Sequence, residues 1–375
     1  MSRAGGAYAT PDTISYAYND RSELTGAASN VDAAYSYSYA YDPIGNRTAA
    51  SEAGVPWTYT TNNLNQYTSA SENNSNLAFS YDLDGSMTYR PVDATGGWTQ
   101  VWNCENRMAE TYKGADRLTF RYDYMGRRVE KCVYNGETLA SRTLFVYDGF
   151  KCVQELDGMD GNAVLRTHFW QPPECGLDVI LATADASGTA CFLHDANKNV
   201  MQETDTAGAL RGNCQYAPFG NGKNKIIPYS FSSEYHDIET ILASYSYRDF
   251  DSSFGRWTSF DKIENYNMNN LYCYVNNNPV CNIDQLGLVT TDDCAKMHDI
   301  CYDDCSRTRR TKCAQRLCYA DCAAELAICM TEAIADQTTD FLKKNPEVGI
   351  IGVGIVIITI TPFLPISPII LLPAL

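Results

Sequence analysis

The feature that most constrains this chain is a recurring short stretch. "YDPIGN" (Tyr41 to Asn46), "YDLDGS" (Tyr81 to Ser86) and "YDYMGR" (Tyr122 to Arg127) share Tyr-Asp-x-x-Gly at spacings of 40 and 41 residues. Aspartate hydrogen-bonds backbone at the start of a turn and glycine accepts its last position, so each copy ends one strand and begins another. "NNLNQYT" from Asn62 and "NCENRMAE" from Asn103 are also offset by 41. Two different features at one period predict an internal repeat, each unit a hairpin or two that buries its face only by stacking on its neighbours. Ahead of the first turn, Tyr35, Tyr37, Tyr39 and Tyr41 alternate with small residues, the period of two that puts four rings on one face of a strand.

Composition agrees with a mostly β body. There are 26 Tyr against 13 Phe and 5 Trp, which suits half-buried strands whose rings pack while their hydroxyls reach water. At 375 residues the chain has room for one to three domains. Its 45 acidic residues against 29 basic give a net charge of −16, which argues against nucleic acid as a partner, because phosphate neutralisation needs clustered Lys and Arg. The first twenty residues hold no apolar run between a basic start and a small-residue cleavage site, so the expected route to the outside or the cell surface is not Sec.

The Tyr-Asp repeats resemble those of RHS and YD-repeat proteins. The stretch from Glu239 to Leu288 resembles the RHS-associated core sequence along nearly its full length, with Gly255-Arg256-Trp257, Asn270-Leu271-Tyr272, Asn278-Pro279 and the closing Gly287-Leu288 in order. The resemblance implies a repeat body over residues 1–238 that forms part of a β shell, a core segment over 239–288 that plugs it, and a variable toxin after the closing Gly-Leu with an immunity protein as its partner. About 240 residues of repeats are few for a full shell, so the chain is expected to be one part of a larger assembly or product.

The same resemblance implies self-cleavage at the Leu288-Val289 bond. Family members use aspartates of two Asp-Pro-x-Gly motifs, and the matching places here are "DKIE" from Asp261 and "DQLG" from Asp284, with both prolines and the first glycine replaced. The chemistry needs two carboxylates sharing a proton, one acting as base on water and one as acid towards the leaving amine. Arg256 is the expected partner for their charge. The plainer alternative is that Asp261 and Asp284 cap turns.

Fifteen cysteines divide into eight scattered over residues 104–281, expected to be reduced small hydrophobes, and seven between Cys294 and Cys329. Cys294, Cys301 and Cys305 are spaced 7 and 4; Cys318, Cys322 and Cys329 are spaced 4 and 7. Both sets keep their sulfurs on one helical face, and one is the reverse of the other, as three disulfide rungs of an antiparallel helical hairpin require: Cys294 with Cys329, Cys301 with Cys322, Cys305 with Cys318. Zinc is the competing use, although i, i+4 ligands on long helices are unlike structural zinc knuckles. The expected second part, residues 289–347, is thus a small α-helical, disulfide-rich domain.

Cys294-x-x-x-His298-Asp299-x-Cys301-Tyr302 resembles the catalytic helix of secreted phospholipase A2 over about 36 residues. That resemblance implies His298 as general base, Asp299 as a calcium ligand and Tyr302 as support for the histidine, with a phospholipid membrane as substrate. The aspartate that orients the histidine is replaced by Ala323, leaving Asp321 or Glu325 as substitutes, and "GLVTTDDC" holds no Gly-rich calcium loop. His298 as an ordinary residue packed between helices is the alternative. From Val348 to Leu375 the chain carries no charge over 28 residues, with four prolines in its second half, and contact with a membrane is expected. Two rival readings keep the same architecture without catalysis: a membrane-inserting toxin, and a surface repeat protein for adhesion.

Overall fold

The structure, a computed structural model, describes residues 2–5, 8–73, 75–172, 178–222, 228–261, 270–284 and 287, all within the unit from Met1 to Leu288. The described residues form three antiparallel sheets, of eight strands from Ser2 to Ala78, thirteen from Ser80 to Asn213 and four from Tyr235 to Trp257. In each sheet, neighbours in the chain are neighbours in space, as short turns between strands dictate.

The turns explain the repeat and shorten its period. Asp42 Oδ1 accepts from the backbone N–H groups of Ile44 and Asn46 at 3.0 and 2.8 Å, and the Gly45 N–H donates to the Asp42 carbonyl at 3.1 Å. Asn62 makes the same pair of bonds to Leu64 and Gln66, and Asn103 to Glu105 and Arg107. Asp82 and Asp123 begin equivalent turns. The two elements that look different in sequence are one turn, recurring at positions 42, 62, 82, 103 and 123, so the unit is a step of 20 or 21 residues. Its fourth position is left-handed, with φ of +83° at Gly45 and +76° at Gly85 and Gly126, but +61° at Asn65 and +53° at Asn106. Asparagine is one of the few side chains that enters this region at low cost, which is why a pattern written around glycine finds only alternate units.

At several strand ends an aromatic residue ties its hairpin to the preceding one. The Tyr41 hydroxyl donates to the Leu24 carbonyl at 2.9 Å, Trp102 Nε1 to Met87 at 2.6 Å, Tyr122 to Met108 at 2.8 Å and Tyr147 to Arg128 at 2.8 Å. Tyr35, Tyr37 and Tyr39 are buried on one face as their spacing predicts, and Tyr41 is half-buried.

That face packs against the segment after residue 214. One hydrophobic cluster joins Tyr37, Tyr39, Tyr59 and Phe79 of the repeats to Phe219, Phe250, Phe254 and Trp257; Tyr39 meets Phe219 edge-on at 5.1 Å and Phe79 meets Phe254 at 4.9 Å. Three successive turns also offer a carbonyl to the core segment. Gly45 accepts from Asn277 Nδ2 at 2.8 Å, Asn65 from Arg256 Nη2 at 2.8 Å and Gly85 from the Tyr272 hydroxyl at 2.7 Å. Buried ion pairs complete the docking. Arg90 grips Asp251 with two bonds of 2.6 and 3.1 Å, and Asp237 receives Arg128 at 2.7 Å and Lys131 at 3.0 Å. The four-stranded sheet takes in Tyr235–His236, so the core body begins ahead of Glu239.

None of the seven described cysteines of the scattered set forms a disulfide, and Cys132, Cys152 and Cys214 are buried. Cys104 and Cys281 are exposed, so burial accounts for only part of that set. The helical hairpin, its three cysteine rungs and the apolar tail from Val348 lie outside the described residues. Among the described residues, no helix is long and apolar enough to cross a membrane and no side-chain cluster fits a metal ion.

Candidate functional site: two aspartates on one guanidinium

Asp261 and Asp284 come together, on Arg248 rather than Arg256. Arg248 Nη2 lies 2.8 Å from Asp261 Oδ2 and 3.7 Å from Asp284 Oδ2, and all three side chains are buried. Arg248 sits at a tight reversal between the strands Ala243–Ser244 and Asp249–Asp251, closed by the Tyr245 N–H on the Arg248 carbonyl at 3.0 Å. Its guanidinium lies 4.0 Å from the centre of the Trp257 ring, and Nη1 donates to the Leu271 carbonyl at 3.3 Å. Asp261 is fixed by its own N–H, which donates to that same Leu271 carbonyl at 3.1 Å. A planar cation held by a ring and a carbonyl presents its remaining N–H groups in fixed directions, which a lysine would not do.

The closing glycine is held by the same group. Arg248 Nε donates to the Gly287 carbonyl at 2.6 Å, and the Gly287 N–H donates to Asp284 Oδ1 at 2.7 Å. The turn-capping reading of Asp284 is therefore correct for one oxygen, while the other faces the arginine. Gly287 has φ of +77°, and a Cβ there would stand 2.9 Å from Tyr245 Cβ and 3.3 Å from the Arg248 nitrogen. Gly287→Ala is expected to cost at least the roughly 1–2 kcal/mol of a left-handed non-glycine residue and to push the closing segment off Arg248. Thermal melting of the variant beside the parent, with the cleaved fraction scored at fixed time, checks both effects.

Arg256 does something else. Its guanidinium lies 3.8 Å from the Tyr67 ring centre and 5.3 Å from that of Tyr272, and Nη2 donates to the Asn65 carbonyl. The expectation that Arg256 balances the two aspartates gives way to a docking role, because its strand partner is Asp251, and Asp251 is already taken by Arg90. Two lysine-linked groups also went unread in sequence. Lys198 Nζ sits 2.6 Å from Asp178 Oδ1 and 3.6 Å from Glu234 Oε1, with the lysine side chain fully buried. Nothing in the local sequence marks Glu234 as a partner of Lys198; only the fold brings the two together.

A hydroxyl, imidazole and carboxylate also line up at Thr183, His168 and Glu155, with contacts of 3.0 Å on each side of the ring. Glu155 is shared with Arg166 at 2.8 Å and the ring is covered by Tyr229, so this is a satisfied structural network between neighbouring strands. His298, Asp299, Tyr302 and Asp321, and the cysteines from Cys294 to Cys329, lie outside the described residues.

The large antiparallel sheets of the described residues resemble an RHS shell. No family model matches the chain. It is 28% identical over 270 residues to the tRNA3(Ser)-specific nuclease WapA of Bacillus spizizenii, and 28% identical over 270 residues to the tRNA nuclease WapA of Bacillus subtilis, in each case covering 66% of this chain and 11% of the relative. The chain thus spans about a tenth of the length of these curated relatives. Among solved structures, the TcdB2-TccC3-TEV complex superposes with a TM-score of 0.50 at 18% identity, covering 73% of this chain and 17% of that one. The chain is a distant homologue of the WapA proteins, and its described residues carry the fold of the TcdB2-TccC3 RHS shell.

Proposed function

We propose that this chain is part of an RHS-type polymorphic toxin that cuts itself at the Leu288-Val289 bond and frees residues 289–375. The observation that carries this reading is the single guanidinium that meets both buried aspartates and grips the Gly287 carbonyl, one peptide away from that bond. Asp261, charge-paired at hydrogen-bond distance, serves as base on a water. Its oxygen bonds to the Leu288 carbonyl carbon while Asp284 hands a proton to the Val289 nitrogen as the C–N bond breaks. The hydroxyl of the water ends in the new Leu288 carboxyl and the proton from Asp284 on the new Val289 amine, while Asp261 ends with the proton it took from the water and Asp284 ends ionised. Arg248 and Trp257 keep the closing segment in place without taking part in the exchange.

For the released piece we carry forward phospholipid ester hydrolysis, with His298 as base, Tyr302 and Asp321 in support, and calcium at Asp299 as the implied cofactor. Supporting it are the His-Asp helix motif and an apolar tail suited to a bilayer. The WapA relatives are named as tRNA nucleases, which makes RNA cleavage the competing activity. A non-catalytic membrane-inserting toxin is the third outcome. Delivery outside the producing cell and an immunity protein that blocks the released piece belong to the same proposal.

The test is the intact mass of the purified chain over time. Wild type is expected to separate into two fragments at Leu288-Val289, and Asp284→Asn or Asp261→Asn to stay whole while folded. Fragments ending elsewhere, or a cut that survives both substitutions, would refute the cleavage reading. The released fragment is then offered phospholipid vesicles and transfer RNA in parallel; fatty acid that disappears with His298→Ala supports the lipase, shortened RNA supports the nuclease, and dye leakage alone supports insertion.

A further inference from the structure

One backbone carbonyl serves both the base and the cation of the proposed cleavage centre. The Leu271 carbonyl accepts from the Asp261 N–H at 3.1 Å and from Arg248 Nη1 at 3.3 Å. Its place therefore sets where the Asp261 carboxylate stands relative to the guanidinium and, through Arg248 Nε, relative to Gly287. Within the core, the neighbouring Tyr272 carbonyl accepts from the Trp257 N–H at 3.1 Å, on a strand of only two residues, Arg256–Trp257. A strand that short has little stability of its own.

The side chains on either side of Leu271 are both clasped by the repeats. Asn270 Nδ2 donates to Asn46 Oδ1 at 2.8 Å, and the Tyr272 hydroxyl donates to the Gly85 carbonyl at 2.7 Å while accepting from Gln66 Nε2 at 2.9 Å. Asn46, Gln66, Asn270 and Tyr272 are all buried.

The repeats prepare Asn46 for this contact. Its Nδ2 donates to Asp42 Oδ2 and Asn65 Oδ1, both at 2.9 Å, and a carboxylate only accepts, so the Asn46 amide has one orientation and turns its oxygen to Asn270. Asn270 likewise uses both ends, its Oδ1 accepting the Tyr272 N–H at 3.2 Å. Asn46, Gln66 and Gly85 belong to the three successive turns that begin at Asp42, Asn62 and Asp82. The flanks of Leu271 are thus held on both sides only after those turns have stacked in register.

We propose that Asn270 and Tyr272 are positioning residues of the cleavage centre, acting through the Leu271 carbonyl, so that self-cleavage follows docking of the core on the repeats. This rests on the cleavage reading above. An undocked core holds Asp261 and Arg248 but lacks what fixes their shared acceptor, and a misplacement of about 1 Å is enough to cost roughly a hundredfold in rate. The cut waits for the stacked turns, and residues 289–375 are not freed from an unfinished body.

The experiment follows cleavage of the full chain after cell-free synthesis is stopped, for wild type, Asn270→Asp, Tyr272→Phe, Asn46→Ala and the Asn46→Ala/Asn270→Asp double variant. Asn270→Asp keeps an oxygen for the Tyr272 N–H but loses the donor to Asn46; Tyr272→Phe keeps the ring but loses its hold on Gly85 and Gln66. Each single variant is expected to cut at least about tenfold more slowly while folded. The double variant is expected to be no slower than Asn270→Asp alone, because both changes break one contact. Single variants that cut at the parental rate, or losses that multiply in the double variant, would overturn the proposal.

A second measurement does not depend on cutting. In an Asp284→Asn background, hydrogen exchange of the Asp261 amide is expected to quicken at least about tenfold in Asn270→Asp, while amides of the strands Asp116–Tyr122 and Arg128–Asn135 keep their protection. Exchange that quickens in those strands as well shows a loosened body instead of a lost alignment, and exchange that does not change at Asp261 shows no link; either result defeats the positioning role. If the wild-type chain is never cut, the cleavage reading fails on its own, and the exchange result still decides whether the repeats hold Asp261 in place.

Discussion

Arg248→Gln is expected to slow self-cleavage at least about a hundredfold, the loss typical of removing one preorganised charge-bearing donor, while Arg256→Gln leaves the cut in place. The difference follows from geometry, since Arg248 alone of the two reaches Asp261, Asp284 and the Gly287 carbonyl, whereas Arg256 lies over Tyr67 and bonds a turn carbonyl. Arg248→Lys is expected to fall between, because an ammonium keeps the charge but not the fork that serves a carbonyl and a carboxylate at once. Removing Arg248 also leaves two buried carboxylates without their cation, so circular dichroism and melting must accompany the mass measurement. The assignment fails if folded Arg248→Gln cuts at the parental rate, or if folded Arg256→Gln does not cut.

The largest loss of stability is expected at Asp237→Ala. This side chain is buried and receives both Arg128 and Lys131, and the change strips two buried cations of their common partner. Breaking one side of a buried ionic group costs about 3–5 kcal/mol, more than the pair gained by forming. Residual contacts of Arg128 with Asp249 at 3.4 Å and Lys131 with Glu239 at 2.7 Å place the expectation in the lower half of that range. Glu110→Ala, which removes a 3.9 Å pair with Arg117 on the surface, is expected to cost at most about 1 kcal/mol. Urea unfolding in an Asp284→Asn background, where a single species is present, compares them directly, and a difference of less than about 1 kcal/mol between the two would refute the docking role.

The same group predicts a pH dependence. Burial alone would raise the Asp237 carboxyl, but Arg128 and Lys131 hold it below its ordinary value of 3.8. A depressed folded-state value means that its contribution is complete above that ordinary value and is lost as pH falls through the lower folded one. Wild type and Asp237→Ala are therefore expected to converge in stability as the medium is acidified below the carboxylate range.

What could be read from residues alone was local. The Tyr-Asp turns and the alternation of Tyr35 to Tyr41 are carried by short patterns, whereas the pairing of Asp261 with Asp284 was implied only by a resemblance over the long core segment. The true step of the repeat was hidden because asparagine replaces glycine at Asn65 and Asn106, a substitution that backbone sterics permit and a glycine-centred pattern misses. The choice of arginine went astray for a different reason. Arg248 lies at the reversal that leads into Asp249–Asp251 and Arg256 on the next strand of the same small sheet, eight positions apart, and which of them faces the aspartates depends on where Trp257 and Tyr67 place their rings.

The three turn carbonyls at Gly45, Asn65 and Gly85, each taken by a different donor of the core segment, work like the teeth of a rack engaged by a pinion. Sheets built from a unit that repeats every 20 or 21 residues are able to grow or shrink by whole units, since Tyr41, Trp102 and Tyr122 each bond only the unit before them. The core has no such freedom, because its donors are spaced to meet three consecutive teeth. Insertion of a unit upstream of Glu23 would leave the engagement untouched, whereas insertion between Asn46 and Gly85 would throw every later tooth out of step. Length can thus drift at one end of the repeats while the paired-aspartate centre stays indexed by the core segment.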